Sequence, residues 1–197
     1  MQTTVQLDQI HQLVERRHEN PFEILGPHEV ADAGASALAI RGFFPWSKRA
    51  WIVDSEKNDA RVPMRRIHPS GLYEGLCDVN GGRRPGRYQF RVADDRGNEI
   101  AMHDPYAFPP LLTDYDLFLL GQGTHWKSYE KLGAHVRTID GIEGVNFAVW
   151  APNATSVSVI GDFNYWDGRL HQCKHIPSGF GNCSFPGFPS VPSTSIK

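Results

Sequence analysis

GVNFAVWAPNATSVSVIGDFNYWDGR, Gly144 to Arg169, is the stretch whose pattern decides the fold. Val145, Phe147 and Val149 alternate with small or polar neighbours, which is the period of a half-buried strand. Ala151-Pro152-Asn153-Ala154 interrupts the run, because proline cannot donate to a ladder, and Val157, Val159 and Phe163 resume it. A hairpin of two strands is predicted. The glycines and Asx residues of Gly161 to Gly168 then predict a tight loop that raises Tyr165 and Trp166. Two such rings suit the flat, C–H-rich face of a sugar. The other reading is that Phe163 and Trp166 close the core of a small sandwich, since large aromatics are mostly buried.

The same pattern occurs earlier in the chain. Leu38, Ile40, Phe43, Pro45, Ala50 and Ile52 align with Val145, Phe147, Trp150, Pro152, Val157 and Val159, each pair 107 positions apart (152 − 45 = 107). Ile67-His-Pro-Ser-Gly-Leu72 has its counterpart in His175-Ile-Pro-Ser-Gly-Phe180. This internal duplication predicts two sandwiches in tandem. The first copy carries period-two runs such as Tyr88, Phe90 and Val92, a turn at Asp95-Arg-Gly-Asn98, and about seven short strands between 37 and 108. In front of it, Leu7, Ile10, Leu13 and Val14 fall at helical spacing, with Thr3 or Thr4 as cap and Arg16-Arg17 in the last turn. His103 to Trp126 is rich in proline and aspartate yet apolar, so it is read as a connector packed on its neighbours. Trp46 could offer the first copy a sugar platform, with core or interdomain packing equally open.

Composition excludes several classes. With 20 Lys and Arg against 22 Asp and Glu, the net charge is −2 and no basic segment points to nucleic acid or a membrane surface. Cys77, Cys173 and Cys183 are odd in number and lack metal-ligand spacing, and no signal peptide or spanning run is present. A reduced, cytoplasmic protein without metal or cofactor is expected. His18 and His28 have no third ligand nearby. No Ser-His-Asp set or phosphate-cradling loop is legible, so no catalytic residue is assigned.

The motifs resemble the glycogen branching enzymes (1,4-α-glucan branching enzymes). Gly144 to Arg169 is similar to the start of the family 48, immunoglobulin-like carbohydrate-binding module that precedes the catalytic barrel in that family. Leu132-Gly-Ala-His135 and Asp104-Pro-Tyr-Ala-Phe108 fit the same pattern, and the resemblance runs from His18 to His171. It implies a mainly β fold: tandem immunoglobulin-like sandwiches, the second incomplete, with one short N-terminal helix. The expected divisions are a helix at 1–20, a first sandwich at 21–110, a packed linker at 111–136, a truncated second sandwich at 137–171 and a tail at 172–197. The family's nucleophilic Asp and acid/base Glu sit on a TIM barrel, which this chain lacks. The implied role is therefore a non-catalytic N-terminal fragment touching α-glucan weakly through Trp166, Tyr165 and, third, Trp46. The alternative is a stand-alone interaction module docking on a protein partner.

After His171 the chain departs from the family. Read from the third base of each codon, Phe180 to Gly187 can encode Trp-Glu-Leu-Phe-Ile-Pro-Gly, which the family carries there. One base lost after His171 would make 172–197 an out-of-frame tail, expected to be disordered because it lacks strand alternation and apolar surface.

Overall fold

A computed structural model describes residues 3–32, 35–54, 60–78, 88–176, 179–187 and 194–196. The chain divides into two compact units, Met1–His11 with Glu23–Ala107 and Gln12–Phe22 with Phe108–Lys197. The first unit holds β1 (Gly26–Asp32), β2 (Ala35–Phe43), β3 (Arg49–Asp54), β4 (Ala60–His68), β5 (Leu72–Asp78), β6 (Tyr88–Ala93) and β7 (Glu99–His103). Their order in the sheet is β1-β2-β5-β4-β3-β6-β7. β4 is shared: Ala60–Met64 pair with β3, and Arg65 to His68 pair with β5 around an irregularity between Arg66 and His68. A strand shared in this way lets the ladder fold over one core. Leu38 and Ile40 of β2 and Tyr73 of β5 accordingly meet Ala50 and Ile52 of β3 and Phe90 and Val92 of β6. Phe44 sits among them, its ring edge-on to Phe90 at 5.0 Å.

The expected cap of the first helix has another task. α1 covers Leu7–Val14, so Thr4 lies outside it and Arg16, at φ 60°, is past its end. The Thr4 hydroxyl instead joins Arg41 and Glu74, whose buried charges pair at 3.0 Å. Burial opposes the Glu74 carboxylate, but bonds from Thr4 and Arg41 outweigh it and hold its pKa below the ordinary value.

The second unit holds α2 (Asp114–Gly121), β8 (Gly133–Ile139), β9 (Ile142–Trp150), β10 (Val159–Gly161), β11 (Lys174–Ile176), β12 (Phe180–Pro186) and β13 (Thr194–Ile196). One sheet runs β11-β12-β9-β8 and the other pairs β10 with β13. The predicted hairpin of 145–149 with 157–163 is therefore corrected. β9 pairs with β8 and β12, because residues 151–158 carry the chain to the other sheet instead of turning it back. The hairpin lies one strand earlier, where Ile139 faces Ile142 around Asp140 and Gly141, at φ 52° and 77°. Asp-Gly is favoured in such a turn because both central residues need positive φ.

The repeat is visible in backbone detail. Leu25-Gly-Pro-His28 opens β1 and Leu132-Gly-Ala-His135 opens β8, and in each the histidine Nε2 donates to the leucine carbonyl at 3.0 Å. Just past β2 and β9, Phe44 N donates to Gly71 O and Ala151 N to Gly179 O, both at 2.7 Å. β12 thus takes beside β9 the place that β5 takes beside β2.

The tail expectation changes accordingly. Residues 174–176 and 180–186 form strands, and Phe180, Cys183 and Phe185 are buried. Alternation exists after all, with Cys183 and Phe185 packed against Val145 and Phe147. Between them the polar Asn182 and Ser184 are satisfied: Asn182 Nδ2 donates to Phe147 O at 3.0 Å and to Asn146 Oδ1 at 3.1 Å, and Ser184 Oγ to Asn146 Oδ1 at 3.2 Å. Cys173 and Cys183, read as free thiols, form a disulfide. Within the tail, positions 177–178, 188–193 and 197 lie outside the described residues.

The two turn glycines should be irreplaceable. An added Cβ would lie 2.5 Å from Pro45 Cα at Gly71 and 2.4 Å from Pro152 Cα at Gly179, with φ of 101° and 82°. Gly71→Ala and Gly179→Ala are each expected to lower stability by about 2 kcal/mol or more in urea unfolding.

Candidate functional site

The loop that follows β10 is fixed from within. Asn164 is 1% exposed, and its side chain ties the loop at both ends. Its Oδ1 accepts from Gly161 N at 2.9 Å, while its Nδ2 donates to Val159 O at 2.9 Å and to His171 Nδ1 at 2.9 Å. Tyr165 and Trp166 then adopt φ of 55° and 60°, a left-handed conformation that non-glycine residues adopt only when their surroundings hold them there. The consequence is display: Tyr165 is 74% and Trp166 48% exposed. Trp166 is steadied by donating Nε1–H to Asp162 Oδ1 at 2.9 Å.

Phe163 answers the choice between core and platform differently from its neighbours. Its ring packs against the Val145–Phe147–Phe185 cluster and lies 5.3 Å from His171. Burial pushes the His171 pKa down to about 4, so the imidazole is neutral and can accept from Asn164. On the far side of the loop Arg169 grips both oxygens of Asp167, and that bond holds the Asp167 carboxyl below its usual range. Both aspartates of the loop are therefore occupied as structural acceptors.

Trp46, the third candidate, packs against the first core. Trp51, on β3, has the Arg49 and Arg61 guanidiniums 5.6 and 5.7 Å from its ring. The linker hid a further feature. Thr113 caps α2 in a reciprocal box with Asp116, which also binds His125 at 3.2 Å and Lys131 at 3.1 Å. Burial opposes that charge, but bonds from Thr113, His125 and Lys131 hold the Asp116 carboxyl well below the ordinary range. Leu117 and Leu120 pack inward with Leu132, whereas Phe118 remains 58% exposed. The Thr-x-x-Asp spacing before an apolar run was the available signal. Among the described residues no group of three or more His, Cys, Asp or Glu is placed to hold a metal, and no helix is long and apolar enough to cross a membrane.

Two successive β-sandwiches, the second carrying an exposed aromatic loop, define a tandem β-sandwich module. The chain belongs to the family described as alpha-1,4-glucan branching enzyme GlgB, N-terminal domain, whose profile matches residues 6–106. Residues 131–193 match carbohydrate-binding module 48, the isoamylase N-terminal domain. The 1,4-alpha-glucan branching enzyme GlgB of Thermosynechococcus vestitus is 43% identical over 185 residues, 93% of this chain and 24% of that protein. That of Rhodopseudomonas palustris is 44% identical over 180 residues, 91% of this chain and 24% of its own. The chain thus spans about a quarter of the length of these relatives. Among solved structures, a Group B Streptococcus pullulanase in complex with maltotetraose overlaps 47% of the chain and 12% of its own, at 20% identity and a TM-score of 0.28.

His171 makes the loop acid-sensitive. Its folded pKa of about 4 lies below the unfolded value of about 6.5, so the unfolded chain binds more protons between those limits. Its contribution is complete above about pH 6.5 and is lost as pH falls through about 4. Tryptophan-detected melting of the wild type should show Tm declining over that window, with a shallower decline in His171→Phe.

Proposed function

We propose that the chain is the non-catalytic, glucan-contacting portion of a 1,4-α-glucan branching enzyme, with Trp166 and Tyr165 as its sugar platform. The observation that carries this reading is the pair of exposed rings held on a loop pinned by Asn164. A sugar ring offers a flat C–H face to such rings and hydroxyls to the polar rim, a combination that gives weak and reversible contact. Trp46 ranks third because its ring packs against the first core. The transfer of α-1,4 segments to α-1,6 branch points would fall to barrel carboxylates outside these residues. Family membership favours this role over stand-alone docking on a protein partner. In affinity electrophoresis the wild type should be retarded by glycogen in the gel, and Trp166→Ala should migrate freely with an unchanged circular dichroism spectrum. An unretarded wild type would refute the glucan reading.

We also infer that the sequence from Phe180 onward is read out of frame. The repeat between the copies, in bonds as well as residues, continues through Gly179, which supports a break at Phe180 instead of directly after His171. Loss of one thymine at the Phe180 codon would turn Phe-Trp-Glu-Leu-Phe-Ile-Pro-Gly into Phe-Gly-Asn-Cys-Ser-Phe-Pro-Gly. Sequencing the gene should find Trp-Glu-Leu-Phe-Ile-Pro-Gly in the shifted frame; a gene without it would end this inference.

A further inference from the structure

Beside the edge strand β11 lies a groove of about 490 Å³, formed within the second unit against α2. That volume falls in the range of about 300–1,000 Å³ usual for ligand clefts. Its apolar part includes Leu117, Phe118 and Ile176, and its polar part is Asp114, Lys174 and His175. None of these residues belongs to the Tyr165–Trp166 loop.

The chemistry of the lining narrows the occupant. Phe118 leaves 58% of its surface open, so an aromatic face is available and not spent on the core. Around it stand one carboxylate that only accepts hydrogen bonds, one ammonium that only donates, and one imidazole that can do either. The carboxylate and ammonium charges cancel, so the groove has no net attraction for an anion, a cation or a charged lipid surface. A neutral ligand with a flat C–H face and hydroxyls that both donate and accept satisfies every one of these groups. We propose that this groove is a second α-glucan subsite, with Phe118 as its stacking face and Asp114, Lys174 and His175 as its hydroxyl partners. The proposal rests on the glucan reading given above, but uses different residues.

The test compares variants in glycogen affinity electrophoresis, with maltoheptaose as soluble competitor. Phe118→Ala should weaken the apparent affinity for glycogen by about fivefold, the scale of one aromatic stacking contact. Phe118→Tyr should retain wild-type retardation, while Phe118→Leu should behave like Phe118→Ala, because apolar bulk without a ring face is not enough. Lys174→Ala should weaken retardation without changing the circular dichroism spectrum. If the wild type is retarded and Phe118→Ala migrates identically to it, the groove is not a subsite and the loop reading survives alone. If the wild type is not retarded at all, both readings fall. If Phe118→Leu is as competent as wild type, or if Phe118→Ala only converts a dimer to a monomer in sedimentation, the groove is an apolar interface and the subsite is overturned.

Discussion

One backbone hydrogen bond, made twice, sets the frame of this molecule. Just past the ends of β2 and β9 an amide donates to the carbonyl of a glycine at positive φ, Phe44 to Gly71 and Ala151 to Gly179, and a proline packs where that glycine's Cβ would be. The bond fixes the register of β2 against β5 and of β9 against β12. Register matters because a slip of one residue turns every side chain of a strand to the opposite face. Ile40 and Tyr73 in one sandwich, and Phe147 and Phe185 in the other, are in their cores because that register holds.

The two sandwiches bury polar groups in different ways around this shared frame. The first sets a charged pair, Arg41 and Glu74, beneath Thr4, so losing either partner would strand a charge in the interior. The second uses neutral amides: Asn182 is fully buried, bonding Asn146 and Phe147, and accepts from Leu111 N at 2.9 Å. That last contact ties the start of the connector to β12. Asp116 then organises the remainder of the connector through Thr113, His125 and Lys131, and so places Phe118.

The duplication and the sandwich class were legible in sequence because both rest on short-range alternation, and Val145, Phe147, Leu38 and Ile40 carry it plainly. What pairs with what was not legible. Val145–Val149 and Val157–Phe163 satisfy a hairpin pattern, and nothing local states that residues 151–158 cross between sheets. β12 was missed because, besides the short local strand β11, its partner is β9, thirty or more residues away, and because Asn182 and Ser184 look like surface residues until Asn146 is placed beside them. At the site, glycine and Asx content gave away the Tyr165–Trp166 loop, but the role of Asn164 depends on His171 and Val159 being brought to it. Trp46 and Trp51 are the same residue type, yet Trp46 lies in the turn before β3 and packs on the core, while Trp51 on β3 lies beside two guanidiniums.

The closure of the second sandwich by β12 is the point on which the groove and the placement of His171 beside Phe185 both depend. Amide hydrogen exchange over Phe180–Phe185, measured on the full chain, addresses it directly. Protection of these amides comparable to that of Phe147 and Ala148 on β9 is expected, since the two strands share one ladder. Exchange at the rate of an unstructured segment, with β9 still protected by β8, would show that β12 does not close the sandwich.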